Sequence, residues 1–327
     1  MQQTSHRVWS WLIWEGFLVA ICGVVAGQVF AVEDGTGVSG FSFEESEDQL
    51  SLRLDGQPIA SYLLRDETLT RRAFVNVHTP SGIPVTRPFP SQTPDNNDHP
   101  VMHPGIWMSF GWIDGNDYWR LTSPVVFDRF LQPPTANGNE ASFATRDRCL
   151  DASGEKTICM QDTSYQWQRV DQGLRLDWDA TFFSDEHDVV FGDQEESGLA
   201  IRIASPLRVE GGSGEIQNDQ GQRNGKGTWG HEFTWIDYFG TVGDSRAGLL
   251  IVPHPENPRR SWSHSRDYGA LVANPFPKQP KERREPYVTT TVKKGERLRL
   301  RYTVLIHEGP ADSFDAEAMA RSVLPTH

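Results

Sequence analysis

Apolar residues in this chain recur at every second position, and that period confines it to strands. Leu50, Leu52 and Leu54 alternate with Ser51 and Arg53, and Asp55-Gly56 then turns the chain into residues 59–64. Two such runs around an Asp-Gly pair are the signature of a β-hairpin. Residues 72–77 alternate in the same way, and residues 167–170, the turn Asp171-Gln172-Gly173 and residues 174–183 repeat the pattern, with Leu174, Leu176, Trp178 and Ala180 on one face. Further strand-like runs follow at 199–203, 234–238, 248–252, 270–273, 288–292 and 298–306. Only residues 312–323 read as a helix, with Asp312 or Ser313 as N-cap and Met319 and Val323 facing inward. Many strands joined by Gly, Asp and Pro turns, with no helices between them, predict an all-β fold. The expectation is a large antiparallel β-sandwich in one domain over residues 38–310, followed by a short C-terminal helix and tail over 311–327.

At the other end, His6 and Arg7 precede an apolar run from Val8 that closes on Val29-Phe30-Ala31. This reads as a signal peptide over residues 1–31 cleaved after Ala31, which predicts a periplasmic or extracellular protein with no membrane segment in its mature form. The alternative is a single membrane anchor, against which Glu15 and Gly16 stand in mid-run. After cleavage only Cys149 and Cys159 remain, flanking a turn, and an exported protein is expected to join them in a disulfide; two unpaired thiols are the other reading. The formal charge of the whole chain is -13, which argues against nucleic acid as a partner.

Chemistry concentrates in the stretch Asp95-Asn96-Asn97-Asp98-His99-Pro100-Val101-Met102-His103-Pro104-Gly105-Ile106-Trp107, with Trp112, Asp117, Tyr118 and Trp119 close behind. Its prolines and glycine exclude a long helix. Aromatic faces beside carboxylates suit a sugar ring, which needs flat apolar surface and directed acceptors; the plainer reading is that these rings only fill the core. Each histidine precedes a proline, which biases it toward extended backbone and puts the two rings on one side, where they could share a metal ion or move protons. Further along lie Glu195-Glu196 before a strand carrying Arg202, Asp237 between Trp235 and Tyr238, His254 in a proline-rich turn, and Trp262-Ser263-His264-Ser265-Arg266 followed by Asn274. No Gly-x-Ser-x-Gly nucleophile, phosphate loop, dinucleotide fingerprint or His-Glu-x-x-His helix is found.

Taken in order, Asp98-His99-Pro100 with His103 and Trp107, Glu196-Ser197-Gly198-Leu199-Ala200-Ile201-Arg202, Trp229-Gly230, Trp235-Ile236-Asp237-Tyr238-Phe239-Gly240, Asn257-Pro258, Trp262-Ser263-His264-Ser265-Arg266 and Ala273-Asn274-Pro275-Phe276 resemble the bacterial PmoA-like family, often labelled methane oxygenase. The resemblance implies an exported β-rich protein associated with sugar breakdown. This chain departs from the pattern at Val101-Met102-His103, where many relatives carry His-His or His-Arg.

The leading expectation is an exported carbohydrate-active enzyme, a hydrolase, lyase or epimerase acting on a sugar or oxidised sugar derivative. In that reading His99, His103 and His264 transfer protons or hold a divalent metal, Glu196 or Asp237 is the partner carboxylate, and Trp107, Trp112, Arg202, Trp262, Arg266 and Asn274 bind substrate. The alternatives are a glycan-binding module without catalysis and a metal-dependent oxygenase.

Overall fold

A computed structural model describes residues 39–92, 98–192, 194–276, 289–310 and 314–324. The expected leader, Asp312 and Ser313 lie outside the described residues. The first sheet has eight antiparallel strands in the order β1 (Phe41–Glu45), β2 (Gln49–Leu54), β3 (Gln57–Leu63), β4 (Ala73–Val75), β5 (Ile106–Phe110), β11 (Ser197–Arg202), β16 (Ala270–Asn274) and β15 (Trp262–Arg266). The second also has eight: β12 (Glu215–Asn218), β13 (Ile236–Val242), β14 (Ser245–Pro253), β18 (Arg297–Pro310), β9 (Gly173–Phe183), β8 (Thr157–Val170), β7 (Glu140–Leu150) and β6 (Val125–Asn137). A separate ribbon pairs β10 (Val189–Phe191) with β17 (Thr290–Val292), which is where the strand expected over 288–292 is found. The protein is a large antiparallel β-sandwich with a short C-terminal helix.

Alternation explains the sandwich. Along β9, Leu174, Leu176, Trp178 and Ala180 all turn inward and are almost fully buried, against Leu199, Ile201, Leu271 and Met108 of the first sheet. Near the middle of this core Tyr62, Phe143, Tyr165 and Trp178 interlock with ring centroids 4.8–5.0 Å apart. The Tyr62 and Tyr165 hydroxyls bond each other at 2.9 Å, so these two phenols bring no unsatisfied polar group into the core.

Strand β6 was not legible in the sequence. It contains Pro133-Pro134, which lack a donor, and it is tolerated because β6 is an edge strand paired only with β7 through several register shifts. Two other elements shift slightly: the strand expected over 234–238 starts at Ile236, and the C-terminal helix (Ala316–Val323) is capped by Asp315, whose side chain accepts from the Ala318 N–H. This helix lays Ala320, Met319 and Val323 on the outer face of the second sheet, over Leu250 and Leu305.

Cys149 and Cys159 are direct register partners on β7 and β8, and both are buried. The pairing expected across the turn is there, but the two are free thiols and the expected disulfide is not formed. Main-chain pairing of β7 with β8 sets the register of this hairpin.

Candidate functional site

A row of side chains runs across the outer face of the first sheet. In register from strand to strand it is Trp107 on β5, Ala200 on β11, Val272 on β16 and His264 on β15. Their neighbours Met108, Leu199, Ile201 and Leu271 point the other way, into the core, so the period-two rule places the whole row outside. Ala200 and Val272 are small, and the step between the two large rings is covered by loops rather than filled. Trp107, Ala200 and Val272 join Trp119 and Phe89 in a second apolar cluster beneath those loops.

Two buried arginines hold the loops down. Arg87 donates to the carbonyl oxygens of Asp98 at 2.8 Å, His99 at 2.7 Å and His103 at 2.8 Å. Arg71 donates to the carbonyls of Tyr118 and Trp119 at 2.9 and 2.7 Å, and to that of Met102. Both guanidiniums are about 1% exposed, so bonds that would be modest in water are made where no water competes. Gly105 lets the same loop drop onto the sheet, since a Cβ there would lie 2.2 Å from the Phe74 carbonyl oxygen.

The loop then turns instead of extending. His99 has a φ of +48°, and the His103 N–H reaches back to the His99 carbonyl at 3.3 Å. The two imidazoles stack, 4.7 Å between centroids and 18° between planes. The expectation of an extended segment is thus corrected, because Arg87 fixes three carbonyls in a compact turn that the prolines alone do not dictate. Tyr268 and Trp107 lie nearly parallel to His103, at 6.4 and 5.4 Å.

Around this stack is a cavity of about 70 Å3, lined by His99, His103, Glu196, His264 and Tyr268 together with Met102, Trp119, Arg120 and Ala270. It has room for a few water molecules or for one functional group of a larger ligand. Glu196 is held by Arg120 at 2.9 Å. The His264 Nδ1 lies 3.5 Å from the Glu195 carboxylate, and Arg266 lies 3.7 Å from the same oxygen.

The remaining expected residues have other duties. Arg202 ion-pairs with Asp98 at 2.6 Å and stacks its guanidinium over Tyr268 at 4.7 Å. Asn274 donates to the carbonyls of Gln194 at 2.7 Å and Glu195 at 3.3 Å, and so positions the turn that carries Glu195. Trp107 is fully buried beside His103 and is not a cavity wall. Trp262 donates its indole N–H to the Phe276 carbonyl at 2.9 Å, and Trp112 packs against Gly192; neither lines the cavity.

Asp237 is a correction. It sits on β13 of the second sheet, fully buried, with the His307 Nε2 at 2.9 Å and Arg246 at 2.8 Å. Burial opposes its ionisation, but the His307 ring and the Arg246 guanidinium outweigh that and hold the carboxyl below its usual range. It is a structural ion pair.

The metal expectation is also corrected. Among the described residues no group of three or more His, Cys, Asp or Glu side chains could hold a metal ion. A metal binds an imidazole nitrogen in the plane of the ring, and two rings stacked face to face at 4.7 Å do not aim those lone pairs at one point.

A family model described as a family of unknown function, DUF6807, matches residues 49–321. The chain belongs to this family. The PmoA-like expectation is overturned by that match, which removes the family label on which the oxygenase alternative rested. No curated protein matches the chain. Among solved structures, the DUF6807 chain is similar to a GH36 α-galactosidase from Geobacillus stearothermophilus, with 11% identity and a TM-score of 0.38 over 83% of this chain and 41% of that one. It is also similar to galactose mutarotase-like proteins from Lactobacillus casei and Clostridium acetobutylicum. The first shows 13% identity and a TM-score of 0.35 over 82% of this chain and 100% of that one, the second 9% and 0.40 over 83% and 99%. The chain therefore spans less than half the length of the galactosidase it matches, and similarity at these levels bears on neither substrate nor reaction.

In this DUF6807 chain the most perturbed group of the cavity is His103. Burial, and then the charges of His99, Arg202, Arg71 and Arg87, push its ring far below the ordinary histidine value, so it stays neutral throughout the physiological range. Arg71 is itself lowered to about 9 by burial and remains charged at pH 7. Burial also raises the Tyr268 phenol, which stays protonated.

The ring state of His103 has a measurable consequence. In the unfolded chain the ring titrates near ~6.5, so below that pH the unfolded state binds the extra proton and stability falls as pH falls, by up to about 1.4 kcal/mol per pH unit. Asp147 has the opposite sign: burial pushes it to about 7, so from roughly pH 4 to 7 the folded state holds the extra proton and stability falls as pH rises. Comparing the protein with His103→Asn cancels the Asp147 contribution. The variant should lose about 1 kcal/mol less between pH 6 and pH 5 in urea unfolding, and parallel curves for the two proteins would show that the ring is not held neutral.

Arg71, Arg87, Arg120 and Tyr268 are given no role by the sequence, and Trp119 and Glu195 stand in its chemistry-bearing stretches without one. Arg71 and Arg72 stand directly before the apolar residues Ala73-Phe74-Val75, a weak signal that they enter the sheet with that strand. Arg87 has no such mark.

Proposed function

We propose that the outer face of the first sheet is a proton-transfer site acting on a sugar or an oxidised sugar derivative in an exported protein. The observation that carries this reading is the gathering of His99, His103, His264 and Glu196, from distant parts of the chain, around one cavity edged by the Tyr268 and Trp119 rings. His264 with Glu195 is the acid-base pair, a histidine with a carboxylate at its second nitrogen. His103 cannot serve as that base, since a ring so reluctant to take a proton is a poor acceptor for one. It acts as a neutral hydrogen-bonding group that orients and polarises the substrate.

The cavity is smaller than a hexose, so only the reacting group enters it, while the body of the substrate lies across exposed His99 and the Tyr268 face. Arg120 fixes the Glu196 side chain at the wall, where it can face an oxocarbenium-like centre or accept from a donated hydroxyl. Export is supported by the leader pattern of residues 1–31.

The test is a panel of neutral sugars, uronates and aldonates incubated with the purified protein in D2O and followed by NMR. Conversion of one of them, or deuterium entering a carbon-bound position, is the expected result. Saturable binding with no conversion would replace the enzyme with a glycan-binding module, and no binding at all would overturn both readings.

A further inference from the structure

A second cavity, of about 570 Å3, opens where the chain leaves β11, lined among others by Asn76, His78, Thr86, Ala204 and Arg208. It lies behind Arg87 as seen from His103. Thr86 and Pro88, which flank Arg87, both line it, while the Arg87 guanidinium reaches away to the carbonyls of Asp98, His99 and His103. Thr86 bridges Ile203, and the Arg87 N–H donates to the Arg202 carbonyl at 3.0 Å, so the wall is ordered sheet edge.

The charge of this cavity is unlike that of the chain around it. The protein has 44 Asp and Glu residues against 31 Lys and Arg, yet none of the described residues lining the cavity is acidic. Arg208 lines it and, among the described residues, makes no ion pair and has one side-chain hydrogen bond, a long one of 3.4 Å from Nε to the Ser205 carbonyl. His78 lines the cavity as well and brings an imidazole to its wall, with the Asn76 backbone as one partner of the ring. Asn76 and Thr86, by contrast, are spent on the backbone at Phe89 and Val77. A half-buried guanidinium with no counter-ion among the described residues, lining the same cavity as an imidazole, is a site that an oxyanion would complete.

We propose that this cavity binds a small organic oxyanion, a carboxylate or phosphate monoester on a body of sugar size, with Arg208 as its counter-ion and His78 as a second hydrogen-bonding group. The volume lies within the roughly 300–1,000 Å3 usual for small-molecule sites, and Pro84, Pro88 and Pro206 supply apolar walls for the body of the ligand. Two sources of the anion share this chemistry, a sugar acid and a sugar phosphate.

Calorimetric titration with glucuronate, glucose 6-phosphate and glucose separates them. At least one anion should bind no less than ten-fold more tightly than glucose, and its identity names the source. Arg208→Gln should weaken that anion at least ten-fold without moving the melting temperature, and Arg208→Lys should recover part of the loss. His264→Gln should leave anion binding unchanged, which keeps this result independent of whether the other cavity is catalytic. The proposal is overturned if neither anion binds, if glucose binds as well as both, or if Arg208→Gln binds like the unaltered protein.

Discussion

Exchange of His264 for glutamine should lower turnover by about 100- to 10,000-fold, the range that general acid-base groups contribute, while the fold stays intact. The glutamine amide keeps a polar group toward Glu195 and much of the ring's volume, but it cannot take and return a proton. Because His264 Nδ1 and Glu195 stand 3.5 Å apart as a pair, Glu195→Gln should lose about 10- to 100-fold, and the double variant should be little worse than His264→Gln alone. Losses that multiply would mean that the two act separately. An unchanged kcat in His264→Gln would remove the proton-transfer assignment, and a rise in KM with kcat preserved would make His264 a binding group only.

Replacing Arg87 with methionine should destabilise the protein by about 3 kcal/mol, a fall of roughly 6–12 °C in melting temperature for a chain of this size. Methionine fills the stem of the side chain and removes the three charge-assisted bonds to Asp98, His99 and His103. The turn that stacks the two imidazoles then loses its anchor, and a displacement of about 1 Å at reacting groups is enough to cost a hundred-fold in rate. Arg129→Met, at a guanidinium with a side chain 55% exposed, is the control and should change stability by less than about 1 kcal/mol. A melting temperature for Arg87→Met equal to that of the control would show that the loop is held by its neighbours and not by this arginine.

Several of these residues could be read along the chain and others could not, for a reason visible in particular positions. Trp107, His264, His99 and His103 announce themselves by type and by their dense, proline-stiffened setting. Asp237, between Trp235 and Tyr238, carries the stronger sequence signal of the two candidate acids, yet Glu196 lines the cavity and Asp237 is locked to His307 and Arg246 on the opposite sheet. Glu195 takes the place beside His264 because Asn274, on another strand, ties down its turn. Arg87 resembles any arginine until its partners are seen, since the short bonds it makes to three backbone carbonyls follow no side-chain pattern.

Period-two spacing and the turn residues determined by themselves that this chain makes antiparallel strands with one face buried, because alternation is a local property of extended backbone. Which strands lie side by side is a different matter. The order β5-β11-β16-β15 sets Trp107 and His264 on one row, and buried guanidiniums fold the loops over it. Non-local pairing and desolvated charge exist only once the sheets have closed, so only the tertiary structure could decide where a reacting group would be received.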